Sequence, residues 1–391
     1  MRIHAKYDWK RLTPADGHHY FFGYYDRCPW NHDQTLHLTL KVAQDTRLPL
    51  PGETAEVGVV DRNGHYEGLT ETRAWCHQQG SMTLWLPHRP GCFIFNDYDV
   101  ERKQLLARIY DLKRGLVGEY DRPVYAMSPD GRWGVSLNFG RIPRRGYSYA
   151  DAPLSRDEHP DYDTEGLFLI DMHSGASRVL VSYRQMMDLH PVPYELDDVY
   201  VWLNHAIFNI DSSRILWLFR HCHNPLAPSW KTHMFTVGVD GSELLCPLPH
   251  FYWNGMISHQ IWGRTPREVL IDAKWRTNNN TDYVVFDERQ LPLRATLISK
   301  GMGPFGHTIF SPDGKWMLAD TYADENSNQH LALVNPADGS LEEIGLFRHY
   351  KPQGFCGDAR CDLHPRWSQD SRTITVDSIH NYERGIYMLE L

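Results

Sequence analysis

Residues 125–139 read YAMSPDGRWGVSLNF and residues 308–322 read TIFSPDGKWMLADTY. The two stretches superpose without a gap: a short run rich in β-formers, a Ser-Pro-Asp-Gly step, then a second such run. Proline presets φ at the second position of a turn, and Asp-Gly supplies the left-handed residue, so the motif specifies a tight reversal between antiparallel strands. It is a turn and not a catalytic signature. With the phase set, degenerate copies follow at AIFNIDSSRILWLFR (206–220), PRWSQDSRTITVDS (365–378), IWGRTPREVLIDAKW (261–275), SMTLWLPHRPGCFIFND (81–97) and, weakest, YYDRCPWNHDQTLHLTL (24–40). That makes seven copies. Taking Pro129, Asp211, Pro312 and Asp370 as markers, they recur every 45–60 residues except for one gap of about 80, which holds the Pro-, Arg- and Tyr-rich stretch 141–166.

After each hairpin come signs of two more strands around Asp-Gly or Ser-Gly, as in GLFLIDMHSGASRVLV (166–181), HMFTVGVDGSELLCPL (233–248) and LALVNPADGSLEEIGLF (331–347). Seven units of four strands predict an all-β fold: a seven-bladed β-propeller with four-stranded antiparallel blades, one domain over 1–391. No blade buries both its faces alone, so the units stand or fall together. The segment 141–166 is expected to project from a blade, and the last strand, 386–391, to be completed by residues near 4–12. Trp30, Trp85, Trp133, Trp316 and Trp367 are expected to pack between blades.

Lys+Arg 40 against Asp+Glu 49 leaves a formal charge of −9, so no basic face is implied and nucleic acid is excluded as the expected partner. Mean hydropathy of −0.52 and the lack of any apolar run near 18 residues exclude a membrane span. The first residues, MRIHAKYDWKRLTPADGHHYFF, carry no apolar signal core, which gives a cytoplasmic location as the expectation. Seven cysteines, an odd count without a signal, argue against a disulfide framework.

Aligned on their turns, four copies carry histidine at one column just before the inner hairpin: His205, His259, His307 and His364. Phe208, Trp262, Phe310 and Trp367 follow them at three residues. The first strand of every propeller blade lines the central channel, so equal registers meet near the axis at one mouth. Imidazoles gathered there are stable as metal ligands or as a neutral acid/base cluster; a plug of hydrogen-bonded histidines is the plainer alternative. The strongest local metal signal is Cys-Gly-Asp-Ala-Arg-Cys-Asp-Leu-His at 356–364. Thiolate beside imidazole suits Zn²⁺, and Cys361 and His364 are expected to join His307, and His259 as a fourth, with Cys356 in reserve. Tyr24, Tyr25 and Gln79 fall at channel-facing registers of the first two copies.

Laid out as GYYDRCPW (23–30), HQQGSMTLWLP (77–87), NHAIFN (204–209), SHQIWG (258–263), GHTIFSPDG (306–314) and CDLHPRWSQD (361–370), the chain resembles the seven-bladed propeller polysaccharide lyases, the oligogalacturonate and ulvan lyases among them. The resemblance implies cleavage of a uronic-acid-containing glycan by β-elimination at one mouth of the propeller. It implies His259 as base and a divalent metal on His307, Cys361 and His364. Zn²⁺ is favoured over Mn²⁺ or Ca²⁺ because Cys361 stands where the galacturonate pattern has an amide. The ulvan lyase likeness adds Arg220 as the carboxylate-binding residue and puts His205 where that family has a tyrosine, which leaves His205 and His259 interchangeable as base.

The chemistry accounts for these residue types. Removing the proton α to a carboxylate loads negative charge onto that carboxylate, so a metal or a bidentate arginine must meet it. A net charge of −9 then calls for a local cationic funnel toward an anionic oligo- or polysaccharide, for which Arg141, Arg144, Arg145, Arg220 and Arg366 are available, with Tyr147 and Tyr149 to stack on sugar rings. A glycoside hydrolase on the same scaffold needs two facing carboxylates, with Asp26, Asp320 and Asp377 as candidates. A non-catalytic glycan- or protein-binding propeller with a structural zinc is the alternative outside catalysis.

Overall fold

The structure, a computed structural model, describes residues 6–143, 147–153, 159–189, 199–224, 230–248, 259–273, 281–290, 293–303, 306–350 and 359–391. Its strands form seven four-stranded sheets, each antiparallel throughout. This is the seven-bladed propeller expected from the repeat.

Six blades are continuous in sequence. The first comprises β2 (His19–Phe21), β3 (Leu36–Val42), β4 (Ala55–Asp61) and β5 (Tyr66–Thr72), and the second β6 (Leu84–Trp85), β7 (Cys92–Asp99), β8 (Gln104–Asp111) and β9 (Gly115–Tyr120). The third comprises β10 (Ala126–Met127), β11 (Trp133–Ser136), β12 (Gly166–Asp171) and β13 (Ser177–Ser182), and the fourth β14 (Tyr200–Phe208), β15 (Arg214–Cys222), β16 (Lys231–Gly238) and β17 (Leu245–Leu248). The fifth runs through β18 (Ile261–Trp262), β19 (Glu268–Ala273), β20 (Asp282–Asp287) and β21 (Ala295–Lys300), and the sixth through β22 (Thr308–Phe310), β23 (Met317–Asp320), β24 (Asn328–Val334) and β25 (Leu341–Arg348).

The seventh blade closes the ring with both ends of the chain. Its strands β26 (Arg366–Trp367), β27 (Thr373–Ser378) and β28 (Gly385–Glu390) are joined on the outside by β1 (Lys10–Arg11), with Lys10 opposite Met388 and Arg11 opposite Tyr387. The one α-helix among the described residues, α1 (Tyr183–Leu189), is a short piece after the third blade, and no helix there is long and apolar enough to cross a membrane.

The Ser-Pro-Asp-Gly turns are built identically. The Ser311 hydroxyl donates to Asp313 and accepts from the Trp316 amide at 3.0 Å, while Gly314 takes φ of 69°. Ser128, Asp130, Gly131 and Trp133 repeat the pattern, and in the seventh blade Ser371 holds the left-handed position. That residue also reaches sideways: the Asp313 amide donates to Ser371 Oγ at 3.2 Å, and the Asp130 amide to Ser212 Oγ at 3.1 Å, so the turns lace neighbouring blades together.

Among the expected inter-blade tryptophans, Trp85 donates to the Pro29 carbonyl and Trp367 to that of Ile309, and Trp30 is fully buried. Trp316 departs from the expectation: it lies between the turn and β23 and is exposed.

Candidate active site

The four histidines of the column meet at one mouth of the channel. Ring centroids are 4.2 Å apart for His259 and His307, 4.4 Å for His307 and His364, and 6.4 Å for His205 and His259. Three are presented by an unusual backbone: φ is 53° at His205, 59° at His259 and 44° at His364. His205 lies in a bulge of β14, where the register with β15 shifts between Asn204 and Ile207. An extra residue at such a bulge re-aims its side chain, and histidine tolerates the left-handed region better than most residues do.

The first blade contributes from the opposite direction. Its inner strand breaks after β2, and Gly23, at φ of 126°, passes so close to Gln79 that a Cβ would lie 2.6 Å from that residue's carbonyl carbon. The tight passage carries Tyr24 and Tyr25 into the cluster. Tyr24 has ring centroids of His205 and His364 at 5.1 and 5.0 Å, and Tyr25 has His307 at 4.9 Å. Gln79 donates to the Tyr125 hydroxyl at 3.0 Å, and that hydroxyl accepts the His205 amide at 2.9 Å.

Within the cluster, His307, Asp362 and His364 offer ligand atoms that all lie within 4.8 Å of one another, and all three residues are buried. His307 Nδ1 lies 3.1 and 3.2 Å from the two oxygens of Asp320, which leaves Nε2 as its ligating atom. His364 Nε2 is buried without a hydrogen-bond partner among the described residues. Asp362 is held by Arg360, whose Nε donates to one oxygen at 3.0 Å while a second guanidinium nitrogen lies 2.9 Å from the other. Two imidazoles, one of them orphaned, and a carboxylate make a nitrogen–oxygen donor set that fits a divalent cation.

Burial pushes the imidazoles of His205, His259 and His364 well below the ordinary histidine range; Arg220 adds to this at His205, and His307 at the other two. They are therefore neutral, as ligands or bases must be. Burial also lifts the carboxyl of Asp272 to about 7 and that of Asp320 above its usual range. Arg220 is buried as well, its guanidinium 5.4 Å from the Trp230 ring, and it has no hydrogen bond or ion pair among the described residues. A buried cation without an anion is costly. It marks a place where a ligand's negative charge is expected.

No protein-family model matches the sequence, and no curated protein matches it. Among solved structures, an oligogalacturonate lyase in complex with manganese superposes with a TM-score of 0.66 at 17% identity, covering 98% of this chain and 93% of that one. An oligogalacturonate lyase from Vibrio parahaemolyticus does so with 0.66 at 16%, covering 99% and 94%. The propeller is of their form. The tricorn protease also matches, with 0.55 at 10% identity over 95% of this chain and 34% of that one. The likeness to the oligogalacturonate lyases therefore establishes the fold, and the chemistry has to be argued from the site.

Several expected site residues lie elsewhere. Arg141 is buried in structural bonds, its Nε donating to the Val201 carbonyl at 2.9 Å and its guanidinium 4.7 Å from the Tyr200 ring. Tyr149 is fully buried and stacks on Phe139 at 4.8 Å, and Tyr147 packs against the same core. Within the described part of the 141–166 segment, Ser148, Tyr149 and Ala152 are buried, whereas His159, Asp161, Asp163 and Thr164 are exposed. Arg366 is buried against Asp377 at 2.7 Å and donates to the Gly23 carbonyl, joining the last blade to the first. Cys361 is not in the ligand group. Burial pushes its thiol up to about 12, and its backbone amide donates to His349. Cys356, Arg144 and Arg145 lie outside the described residues.

Asp362, Arg360 and Tyr322 were not singled out by sequence. The Tyr322 hydroxyl lies 3.1 Å from His259 Nε2, and Arg360 sits over the Tyr322 ring at 5.1 Å. Only Asp362 had a usable signal, its place beside His364 in the Cys-Asp-Leu-His run at 361–364.

Proposed function

We propose that the chain is a metal-assisted lyase that cleaves a uronic-acid-containing oligo- or polysaccharide by β-elimination. The observation that carries this reading is the pairing of a buried Arg220, without an anionic partner among the described residues, with a cluster of neutral histidines.

Arg220 receives the uronate carboxylate. Its two terminal nitrogens suit a carboxylate's two oxygens, and they meet the charge that grows there as the adjacent carbon loses its proton. His259, neutral at pH 7 and anchored by Tyr322, takes that proton, a role worth about 10²–10⁴ in rate. The electron pair left on carbon forms the double bond as the bond to the 4-linked oxygen breaks. The proton taken by His259 is returned through water to the departing oxygen, and His205, neutral like His259 and with the Tyr24 hydroxyl 3.5 Å from its Nε2, hydrogen-bonds that oxygen as it leaves. A divalent ion held by His307, Asp362 and His364 would add positive charge beside the carboxylate. With a carboxylate in place of a thiolate, the donor set suits Mn²⁺ at least as well as Zn²⁺; manganese is the ion in one of the matching lyase structures.

The hydrolase alternative loses its carboxylates. Asp26 is paired with Arg27 at 2.8 Å, Asp320 with His307 and Asp377 with Arg366, so no two of them face an open space as general acid and base. The test is a panel of uronans and their oligomers, with and without Mn²⁺ or Zn²⁺, followed by the ultraviolet absorbance of the unsaturated product. Reducing sugar without that absorbance indicates hydrolysis; binding without product indicates a lectin-like propeller.

A further inference from the structure

One strand outward from the histidine column, four blades carry an acid or amide at the same register: Asn96 on β7, Asp272 on β19, Asp320 on β23 and Asp377 on β27. The strand pairings fix the position. Ile261 pairs with Leu270, two residues before Asp272; Arg366 pairs with Thr375, two before Asp377; Leu84 pairs with Ile94, two before Asn96; and Thr308 pairs with Ala319, next to Asp320.

Three of the four do one job. Each accepts a backbone amide from the following blade: Asn96 from Val124 at 2.8 Å, Asp272 from Gly306 at 3.0 Å, and Asp377 from Phe22 and Gly23 at 3.4 Å. They stitch neighbouring blades where the channel segments enter. Asp320 breaks the rule. It turns back to its own blade, accepting from the His307 amide and, with both oxygens, facing His307 Nδ1 at 3.1 and 3.2 Å.

The His307 amide can only donate, so the Asp320 oxygen it meets, which is also the one nearest Nδ1, accepts. That geometry favours a proton on Nδ1 and leaves the lone pair of Nε2 toward Asp362 and His364. Both side chains are about 1% exposed, so neither water nor a rotamer change competes.

We infer that Asp320 is a positioning residue for a divalent-metal site, a blade-stitching carboxylate redirected to fix the tautomer and ring plane of His307 so that Nε2 is presented as a ligand. The inference rests on the metal-assisted reading for its purpose, whereas the tautomer stands or falls by itself.

The test uses the full chain and Mn²⁺ alone. Mn²⁺ affinity is measured by the spin-resonance signal of the free ion for the wild type, Asp320→Asn and, as a stitch that touches no proposed ligand, Asn96→Ala. Outer partners of ligating histidines are typically worth 10–100-fold in metal affinity, and Asp320→Asn is expected to weaken Mn²⁺ binding by about that factor. Asn96→Ala is expected to lower the melting temperature with affinity unchanged. Equal affinity in Asp320→Asn and wild type, or an equal loss in Asn96→Ala, overturns the assignment. Imidazole ¹⁵N shifts of the metal-free wild type form the second arm and are expected to show the Nδ1–H tautomer at His307; an Nε2–H tautomer overturns the inference even if no metal is needed. A wild type that shows the expected tautomer and binds neither Mn²⁺ nor Zn²⁺ removes the metal from the proposed reaction and with it the positioning role.

Discussion

The hydroxyl oxygen of Tyr322 lies 3.1 Å from Nε2 of His259, while His259 Nδ1 is buried without a hydrogen-bond partner among the described residues. The imidazole is therefore anchored at one nitrogen only, and Tyr322 is what holds its plane. A buried neutral hydrogen bond is worth about 0.5–1.5 kcal/mol net, which is a roughly 2- to 10-fold effect on a rate. Tyr322→Phe is expected to lower kcat by about that factor, whereas His259→Ala removes the base and costs about 10²–10⁴. Steady-state kinetics on a cleaved uronan separate the two. Should Tyr322→Phe be as inactive as His259→Ala, the phenol and not the imidazole handles the proton.

Arg220 gives a prediction in which stability and activity move in opposite directions. Its guanidinium is buried with no anion among the described residues, so the folded protein carries a desolvation cost that bound substrate offsets. Arg220→Met keeps the contact with Trp230 and removes the charge, and it is expected to raise stability by about 1 kcal/mol. Turnover is expected to fall by about 10²-fold or more, as for loss of one donor to a developing anion. Thermal melts beside kcat/KM decide it; a destabilised, active variant contradicts the role.

Buried neutral histidines set the pH response. Burial pushes His77 down to about 3 and His380 to about 4, from an ordinary 6.5, and His37, His205, His259 and His364 shift the same way. The unfolded chain takes up protons below pH 6.5 that the folded chain refuses, so the unfolded state gains as pH falls. The stability is fully present above pH 6.5 and is lost progressively as pH falls from about 6.5 toward 4 for His380 and toward 3 for His77. At about pH 5, His77 and His380 each remove roughly 2 kcal/mol. Urea unfolding at pH 7 and pH 5 measures it, and a flat or rising stability toward pH 5 excludes the neutral state assigned to these rings.

The fold was legible because turn chemistry repeats. The Ser-Pro-Asp-Gly steps at 128–131 and 311–314 announce their own hydrogen bonds, and phase alone then places His205, His259, His307 and His364 at one mouth. Tyr24 and Tyr25 were found the same way, although nothing in the sequence indicates that Gly23 carries them across the channel. Residues judged by type and neighbourhood fared worse. Arg141, Tyr149 and Arg366 look like a cationic, sugar-stacking set, but buried arginines join blades here, and an aromatic in a long connection is as ready to fill a core as to meet a ligand. Asp320 was noticed as a carboxylate, but its partner His307 shares no local pattern with it; only strand pairing brings them together.

The cysteine gives the sharpest contrast. Cys361 looks like a ligand by softness and proximity to His364, yet the ligand atoms that gather within 4.8 Å of one another are those of His307, Asp362 and His364. Burial holds the Cys361 thiol up to about 12, Gln329 donates to its carbonyl at 3.1 Å and its amide donates to His349, and its sulfur is not among the gathered ligand atoms. Cys361→Ala is expected to leave Mn²⁺ affinity within about threefold, its cost falling on stability as a small buried cavity, about 1 kcal/mol. Asp362→Asn removes the one anionic donor of the set and is expected to weaken Mn²⁺ by at least about 10-fold. It should also shift preference toward softer ions, since imidazole and amide donors favour zinc more than a carboxylate-containing set does. Titrating both variants with Mn²⁺ and Zn²⁺ settles which of the two residues holds the ion: an intact site in Asp362→Asn together with a lost one in Cys361→Ala restores the thiolate and returns zinc as the metal.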